Sequence, residues 1–217
     1  MSSVPDLALN NGQTIPQLGF GVFQIKPDET AEAVQRALEV GYRHIDTAEA
    51  YRNEKGVGDG IRAAGLDRGE VYVTSKLSNA LHLPDDARSG FDATLAALDT
   101  DYVDLFLIHW PLPTSYDGDF VSTWQTMEEF YRDGRARSIG VSNFQVPHLR
   151  RLAAETEVVP AVNQIEVHPY LSTKRSAATG RNTASPPRPG HRSPKVRSST
   201  IRRSPRSPID WARPPPR

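Results

Sequence analysis

The chain of 217 residues contains no cysteine. This absence excludes disulfide bonds, thiol nucleophiles and cysteine-ligated metal sites, and it fits a reducing compartment. The sequence also lacks an apolar run near the roughly 20 residues that cross a bilayer, and its first residues lack a basic segment followed by an apolar one. We therefore expect a cytoplasmic protein without membrane contact and without a bound metal.

The net charge of zero conceals two unlike parts of the chain. Of the 26 basic and 26 acidic residues, 11 basic and one acidic residue follow Lys174, which leaves 15 basic and 25 acidic residues before it. Half of the 18 prolines also follow Lys174, mixed with serine and arginine. The composition predicts one folded domain at residues 1–173 and a disordered Arg/Ser/Pro-rich tail at 174–217.

The first elements are a hairpin, a strand and a helix. Asn10-Asn11-Gly12-Gln13 lies between two short apolar runs, a pattern typical of a β-hairpin turn. Residues 18–25 then read as a glycine-containing strand. Pro27 opens a helix that ends near Gly41. The chain thus begins a strand-helix alternation.

The alternation continues through residue 167. Apolar runs of strand length alternate with amphipathic segments of helix length, which favours a parallel sheet of six strands. After the first strand we expect strands at residues 44–48, 71–77, 102–110, 137–141 and 161–167. We expect the later helices at residues 53–64, 85–98, 121–131 and 147–154.

Polar residues fall at or just beyond the carboxyl ends of three successive predicted strands. Asp46 and Tyr51 follow the second strand in the stretch GYRHIDTAEAY, Lys76 ends the third, and His109 ends the fourth. Neighbouring parallel strands would bring these side chains together. An ammonium near a phenol lowers its pKa from about 10, and a carboxylate holds that ammonium in place. Tyr51 is therefore a candidate proton donor, and a neutral His109 could orient a substrate carbonyl.

Each residue alone also has a structural interpretation. Asp46 could cap a helix, Tyr51 could pack in the core, Lys76 could be a solvated charge, and His109 could be a satisfied structural group. Their joint placement at strand ends of a repeating βα chain favours a catalytic site.

Five ordered motifs resemble the aldo-keto reductases, in particular the bacterial diketogluconate-reductase-like branch. The motifs are HIDTAEAY, TSKL, LIHWP, GVSNF and NQIEVHP, and the resemblance covers roughly Leu7 to Leu171. It implies an α/β fold, a (β/α)8 TIM barrel whose bottom is closed by an N-terminal hairpin. It also implies NADPH-dependent reduction of small aldehydes or ketones to alcohols.

The resemblance also implies roles for individual residues. Asp46, Tyr51, Lys76 and His109 match the catalytic tetrad, in which the tyrosine is the proton donor. Three further positions match the residues that hold the nicotinamide carboxamide of the cofactor, namely Ser142, Asn143 and Gln164. Phe23 and Trp110 match substrate-pocket walls.

The chain departs from the family pattern after Lys174. A closed barrel needs two more βα units, and the tail contains no strand or helix pattern for them, so we expect an incomplete barrel with about six of eight units. No G-x-G-x-x-G fingerprint offers a Rossmann site instead. Residues 188–198 can be encoded so that the frame beginning one nucleotide earlier reads EAWSPIAQGKV, which resembles the family's seventh-strand motif. The sequence therefore favours a truncation or frameshift near Lys174.

Two other functions stay open at this point. The chain could be an inactive fragment that cannot bind the cofactor, since the loops that hold the adenosine phosphates in the family have no match in the tail. Alternatively, the basic tail could bind nucleic acid or an acidic partner. Trp211 is the only aromatic residue after Tyr170, so the stacking residues typical of single-strand binders are scarce, and nucleic acid is not the expected partner. The sequence predicts neither the physiological substrate nor the oligomeric state.

Overall fold

A parallel sheet with helices on one side forms the body of the protein in the computed structural model, which describes residues 4–171 and 199–203. Its neighbouring strands follow one another in chain order. The parallel strands are β3 (Phe20–Gly21), β4 (His44–Asp46), β5 (Tyr72–Leu77), β6 (Leu105–Ile108), β7 (Ile139–Ser142) and β8 (Val162–Glu166). The helices are α1 (Pro27–Glu39), α2 (Glu54–Ala63), α3 (Pro84–Leu98), α4 (Phe120–Arg132) and α5 (Val146–Glu155). This is the predicted incomplete (β/α)8 barrel.

The predicted hairpin precedes the sheet and consists of β1 (Asp6–Ala8) and β2 (Thr14–Pro16). Gly12 adopts a φ of +85° in its turn, a conformation that glycine reaches without a steric penalty. The side chain of Asn11 donates to Ser138 Oγ at 3.0 Å, and that of Asn10 donates to the Pro160 carbonyl at 3.3 Å. The hairpin is therefore tied to the amino ends of β7 and β8.

An apolar core lies between the sheet and the helices. The ring of Phe91 on α3 stacks on Phe130 of α4 at 4.2 Å and contacts Phe106 of β6 at 4.6 Å between centroids. Trp124 is fully buried, and its indole N–H donates to the Val158 carbonyl at 3.0 Å. This packing fixes the strand positions and so determines which side chains meet at the carboxyl ends of the strands.

The first strand is shorter than predicted. The sequence indicates a strand over residues 18–25, but the pairing with β4 covers Phe20 and Gly21 and is prolonged by a bond from Val22 N to the Asp46 carbonyl. Gln24 has a φ of +68°, so the backbone leaves the extended conformation there. The segment after β3 thereby becomes a loop at the carboxyl end of the sheet.

A further strand, β9 (Ser199–Arg203), pairs antiparallel with β8. The sequence pattern predicts no strand in the tail, whereas these five residues pair with β8 in the structure. An open strand edge offers unpaired backbone groups, and the β-branched Thr200 and Ile201 favour the extended conformation needed to fill it. The rest of the predicted disordered tail, at 174–198 and 204–217, lies outside the described residues. Within the described part of the chain, no helix is long and apolar enough to cross a membrane.

Candidate active site

Lys76 lies at the centre of the candidate site. Its side chain projects from β5, and the residue is only 1% exposed. The ammonium nitrogen lies 2.5 Å from Asp46 Oδ1 and 2.7 Å from the Thr47 carbonyl oxygen. Burial lowers the pKa of Lys76, but the nearby Asp46 carboxylate and Tyr51 outweigh burial and raise it above its ordinary value. The lysine therefore carries its charge at neutral pH.

Asp46 connects two strands that are not neighbours in the sheet, β5 and β8. It is the last residue of β4, and its Oδ1 accepts from Lys76. Its second oxygen, Oδ2, accepts a hydrogen bond from Gln164 Nε2 of β8 at 2.7 Å. Sequence reasoning did not predict this contact, because the two residues are 118 positions apart. Both oxygens of this buried carboxylate thus have partners, as a charge in the interior requires.

Tyr51 lies at the end of a short 3-10 helix, Glu49–Tyr51, that follows β4. Its ring centroid is 5.1 Å from Lys76 Nζ and 5.8 Å from the ring centroid of His109. Burial raises the pKa of Tyr51 above 10.0, although the Lys76 ammonium acts in the opposite direction. The sequence-based expectation of a lowered pKa is therefore wrong for this structure, because desolvation of the phenolate exceeds the effect of the ammonium.

His109 follows β6 and faces the same centre. Burial, followed by the charge of Lys76, lowers the pKa of His109 to about 4. The imidazole is therefore neutral at pH 7 and keeps one N–H with which it can donate a hydrogen bond. This agrees with the predicted protonation state. The backbone carbonyl of His109 accepts from Asn143 Nδ2 at 3.1 Å.

The two predicted pocket walls are exposed aromatic side chains beside this cluster. Phe23 is 57% exposed and its ring centroid lies 5.0 Å from that of Tyr51. Trp110 directly follows His109 and is 47% exposed. Half-exposed aromatic rings next to buried polar groups are typical of the wall of a small-molecule site.

Of the three predicted cofactor residues, Ser142 and Asn143 lie at the carboxyl end of β7 and Gln164 lies in the middle of β8. Ser142 Oγ donates to the Gln164 carbonyl at 3.1 Å, and Asn143 Nδ2 lies 3.1 Å from Ser142 Oγ. Asn143 adopts a left-handed φ of +64°, which asparagine tolerates better than most residues. One hydroxyl and two amide groups are suited to hydrogen-bonding a ligand amide, because each can donate and accept.

Three buried polar residues that sequence reasoning missed surround the same strand ends. Thr47, Asn53 and Glu54 are all under 7% exposed, and all bond to other segments of the site. Glu54 is the first residue of α2, a position where an acid is usually explained by the helix dipole. No sequence signal therefore distinguished it from an ordinary helix start.

The arrangement is suited to donating a proton to a polarised oxygen. A protonated phenol, a fixed ammonium and a neutral imidazole converge beside an aromatic wall at the carboxyl ends of parallel strands, where βα barrels place their active sites. A charge that develops on a bound oxygen would meet donors that are already in place.

The family model described as "Aldo/keto reductase family" matches residues 17–182. An aldo-keto reductase of Mycobacterium sp. (strain KMS) is 50% identical over 167 residues, which cover 77% of this chain and 60% of that protein. Morphine 6-dehydrogenase of Pseudomonas putida is 48% identical, and the match covers 82% of this chain and 59% of that protein. Methylglyoxal reductase DkgA of Escherichia coli (strain K12) is 44% identical, with 81% and 62% covered.

Solved structures agree with these matches. An aldo/keto reductase from Brucella melitensis superposes with a TM-score of 0.77 at 47% identity, covering 81% of this chain and 66% of that one. A Bombyx mori aldo-keto reductase in complex with NADP gives a TM-score of 0.75 at 38% identity, with 82% and 63% covered. The chain spans 59% to 62% of the length of the curated relatives named above.

Proposed function

Because this chain belongs to the aldo/keto reductase family, we propose that it reduces aldehydes or ketones to alcohols with NADPH. The buried Lys76–Asp46 pair beside Tyr51 is the observation that carries the proposal. Relatives named as reductases and dehydrogenases support the same reaction class, and NADP is bound in the Bombyx mori structure. When bound, NADPH supplies a hydride for the carbonyl carbon.

Tyr51 is the proposed proton donor to the carbonyl oxygen. Its raised pKa keeps the phenol protonated at neutral pH, so the proton is present before the reaction. Once the proton has left, the Lys76 ammonium stabilises the phenolate, because it lies 5.1 Å from the ring centroid. Asp46 holds the ammonium in that place.

His109 is the proposed orienting group. Its neutral imidazole can donate a hydrogen bond to the carbonyl oxygen without competing with Tyr51 as an acid. Phe23 and Trp110 are the proposed walls against which a small carbonyl compound packs.

Ser142, Asn143 and Gln164 are the proposed holders of the nicotinamide carboxamide. Their hydroxyl and amide groups fit an amide ligand. Gln164 also donates to Asp46, so the proposed cofactor rim and the tetrad share one hydrogen-bond network. A cofactor held by this rim would lie beside the proton donor.

The test is turnover of methylglyoxal with NADPH by the full chain, because the E. coli relative is named a methylglyoxal reductase. We expect Tyr51→Phe to reduce the rate about 100-fold or more, the range of general acid catalysis. Tyr131→Phe, the same change on α4 away from the site, is the matched control and should keep the rate. Equal rates in Tyr51→Phe and the parent chain would refute the proposal.

An inactive fragment is the second candidate, favoured by the chain's coverage of 60% of its Mycobacterium relative. A fluorescence titration with NADPH separates the two. Saturable binding that Gln164→Ala weakens supports the reductase, while no binding by a folded chain supports the fragment. A cytoplasmic location stays a prediction for either candidate.

We also propose that the reading frame changes near Lys174. The reversal from an acidic to a basic composition and the family-like string in the alternative frame support it. Sequencing the DNA of an independent isolate tests the idea. An alternative frame interrupted by stop codons there would exclude it.

A further inference from the structure

Asn53 connects two loops of the site through its side chain. The residue is 1% exposed, and its Oδ1 accepts from Thr47 Oγ1 at 2.9 Å. Its Nδ2 donates to the carbonyls of Val22 and Ile25 at 3.0 and 3.2 Å. These two carbonyls flank the loop that carries Phe23. The amide therefore spans the segments after β3 and after β4.

Thr47 carries this connection to the lysine. Its backbone carbonyl accepts from Lys76 Nζ at 2.7 Å, and its N–H donates to the Thr74 carbonyl at 2.9 Å. Its hydroxyl has Asn53 as its partner. A buried polar residue held at three points has little freedom to rotate, so the position of the accepting carbonyl depends on Asn53.

Glu54 holds β5 from the opposite face. Its carboxylate accepts from Ser75 Oγ at 2.5 Å and from Thr94 Oγ1 at 3.3 Å. Ser75 immediately precedes Lys76, and consecutive strand residues point to opposite faces of the sheet. Glu54 thus fixes the outer face of the strand at the point where Lys76 leaves the inner face. Burial raises the pKa of Glu54, which reflects the cost of placing a carboxylate there.

We propose that Asn53 and Glu54 are positioning residues that hold the Lys76 ammonium against Asp46, the first through Thr47 and the second through Ser75. The inference rests on the proposed reductase function, since that function gives the position of Lys76 its meaning. All of the bonds involved lie between β3 and α3, so they do not depend on the β8 edge of the sheet.

Hydrogen exchange at the Lys76 ammonium reports on this positioning directly. In the full chain labelled with 15N-lysine, the Lys76 Nζ signal is assigned as the one lost in Lys76→Met. Its protons are protected at neutral pH because the group is buried and bonded to Asp46 and Thr47. We expect Asn53→Ala and Thr47→Val to accelerate their exchange by about fivefold or more, the effect of weakening one hydrogen bond.

Three further variants separate positioning from general support of the fold. Thr47→Ser keeps the hydroxyl, so exchange of the Lys76 protons should stay as slow as in the parent chain. Ser138→Ala removes a buried hydroxyl bonded to Asn11 at the other end of the sheet and should also leave exchange slow. Ser75→Ala removes the bond to Glu54 and should accelerate exchange by about twofold or more, since the strand itself remains.

Equal exchange in Thr47→Val and Thr47→Ser would overturn the Asn53 connection, and equal exchange in Ser75→Ala and Ser138→Ala would overturn the Glu54 connection. If Thr47→Val and Asn53→Ala fail to fold while the two control variants fold, the residues support the fold and the inference is also overturned. The measurement needs neither NADPH nor turnover. An inactive chain with the expected exchange pattern would therefore contradict the proposed function and leave the positioning role intact.

Discussion

Two acid–base clusters lie at opposite ends of the same sheet, and they differ in what surrounds the charges. At the carboxyl end, Asp46 pairs with Lys76. At the amino end, Asp104 pairs with Arg68 and Arg137. Both acids are under 10% exposed and both connect neighbouring strands.

The cluster at the amino end contains permanent charges. Asp104 accepts from Val73 N and from Arg68 Nη2, both at 2.9 Å, and lies 3.4 Å from Arg137 Nη1. The two guanidinium carbons lie 4.3 and 3.6 Å from the ring centroid of Tyr102. An arginine side chain stays protonated in proteins, so the two cations of this cluster do not act as acids or bases at ordinary pH. It connects β5 to the start of β6, and we interpret its role as structural.

The cluster at the carboxyl end includes a phenol, Tyr51, that can donate a proton. Lys76 is fully buried beside a phenol and an imidazole, whereas 46% of the Arg137 side chain is exposed. The two ion pairs therefore differ in the cation and in its burial, and the fully buried ammonium beside a phenol and an imidazole makes the carboxyl-end pair the candidate catalytic element. Replacing the two acids in turn can confirm or refute this distinction.

The largest effect is expected for Asp46→Asn. Lys76 loses the carboxylate that raises its pKa, so burial should lower that pKa and reduce the effect of the ammonium on Tyr51. We expect NADPH-dependent turnover to fall by about 100- to 10,000-fold. Asp104→Asn is the matched control and should keep the turnover of the folded chain. Similar losses of turnover in Asp46→Asn and Asp104→Asn would show that the two clusters do not differ in function.

Asp104→Asn should instead reduce stability. It removes the buried negative charge that accepts from three donors and replaces one acceptor oxygen with an NH2 group, so we expect a loss of about 2 to 3 kcal/mol in the free energy of unfolding. Denaturant unfolding measures it. Asp99→Asn, which affects the exposed pair with Arg62, should cost under about 1 kcal/mol. Equal losses in both variants would contradict a structural role for Asp104.

The pH dependence of His109 tests the description of the cluster at the carboxyl end. Its pKa of about 4 means that the folded chain binds the proton less readily than the unfolded chain, whose imidazole titrates near 6.5. The contribution of His109 to stability is therefore present above pH 6.5 and is lost as the pH falls toward 4. NMR of the imidazole carbon, assigned with His109→Gln, should show a neutral ring at pH 6. A midpoint near 6.5 in the folded chain would contradict the neutral donor.

The smallest effect is expected for Tyr102→Leu at the amino end. It removes the ring that contacts both guanidinium groups and keeps an apolar side chain, so the loss should be about 0.5 to 1 kcal/mol in unfolding free energy. Denaturant unfolding also measures this change. Turnover should stay unchanged, and a fall in turnover would indicate that the amino-end cluster acts on the site.

Much of the architecture was predictable from local patterns. The Asn-Gly turn predicted the hairpin, and the strand-helix alternation predicted six parallel strands, because both depend on short-range periodicity. The convergence of Asp46, Lys76 and His109 followed from strand neighbours in chain order. The short first strand was not predicted, since the backbone turn at Gln24 has no glycine or proline to signal it.

The sequence by itself determined the order of the strands and which polar residues lie at their carboxyl ends, because both follow from residues close together in the chain. Only the tertiary structure decided the direction of the pKa shift of Tyr51 and the long-range partners of these residues. The pKa of Tyr51 rises because burial exceeds the effect of Lys76, and burial is a property of the whole fold. The bond between Gln164 and Asp46 likewise depends on the curvature of a sheet that brings β8 back toward β4.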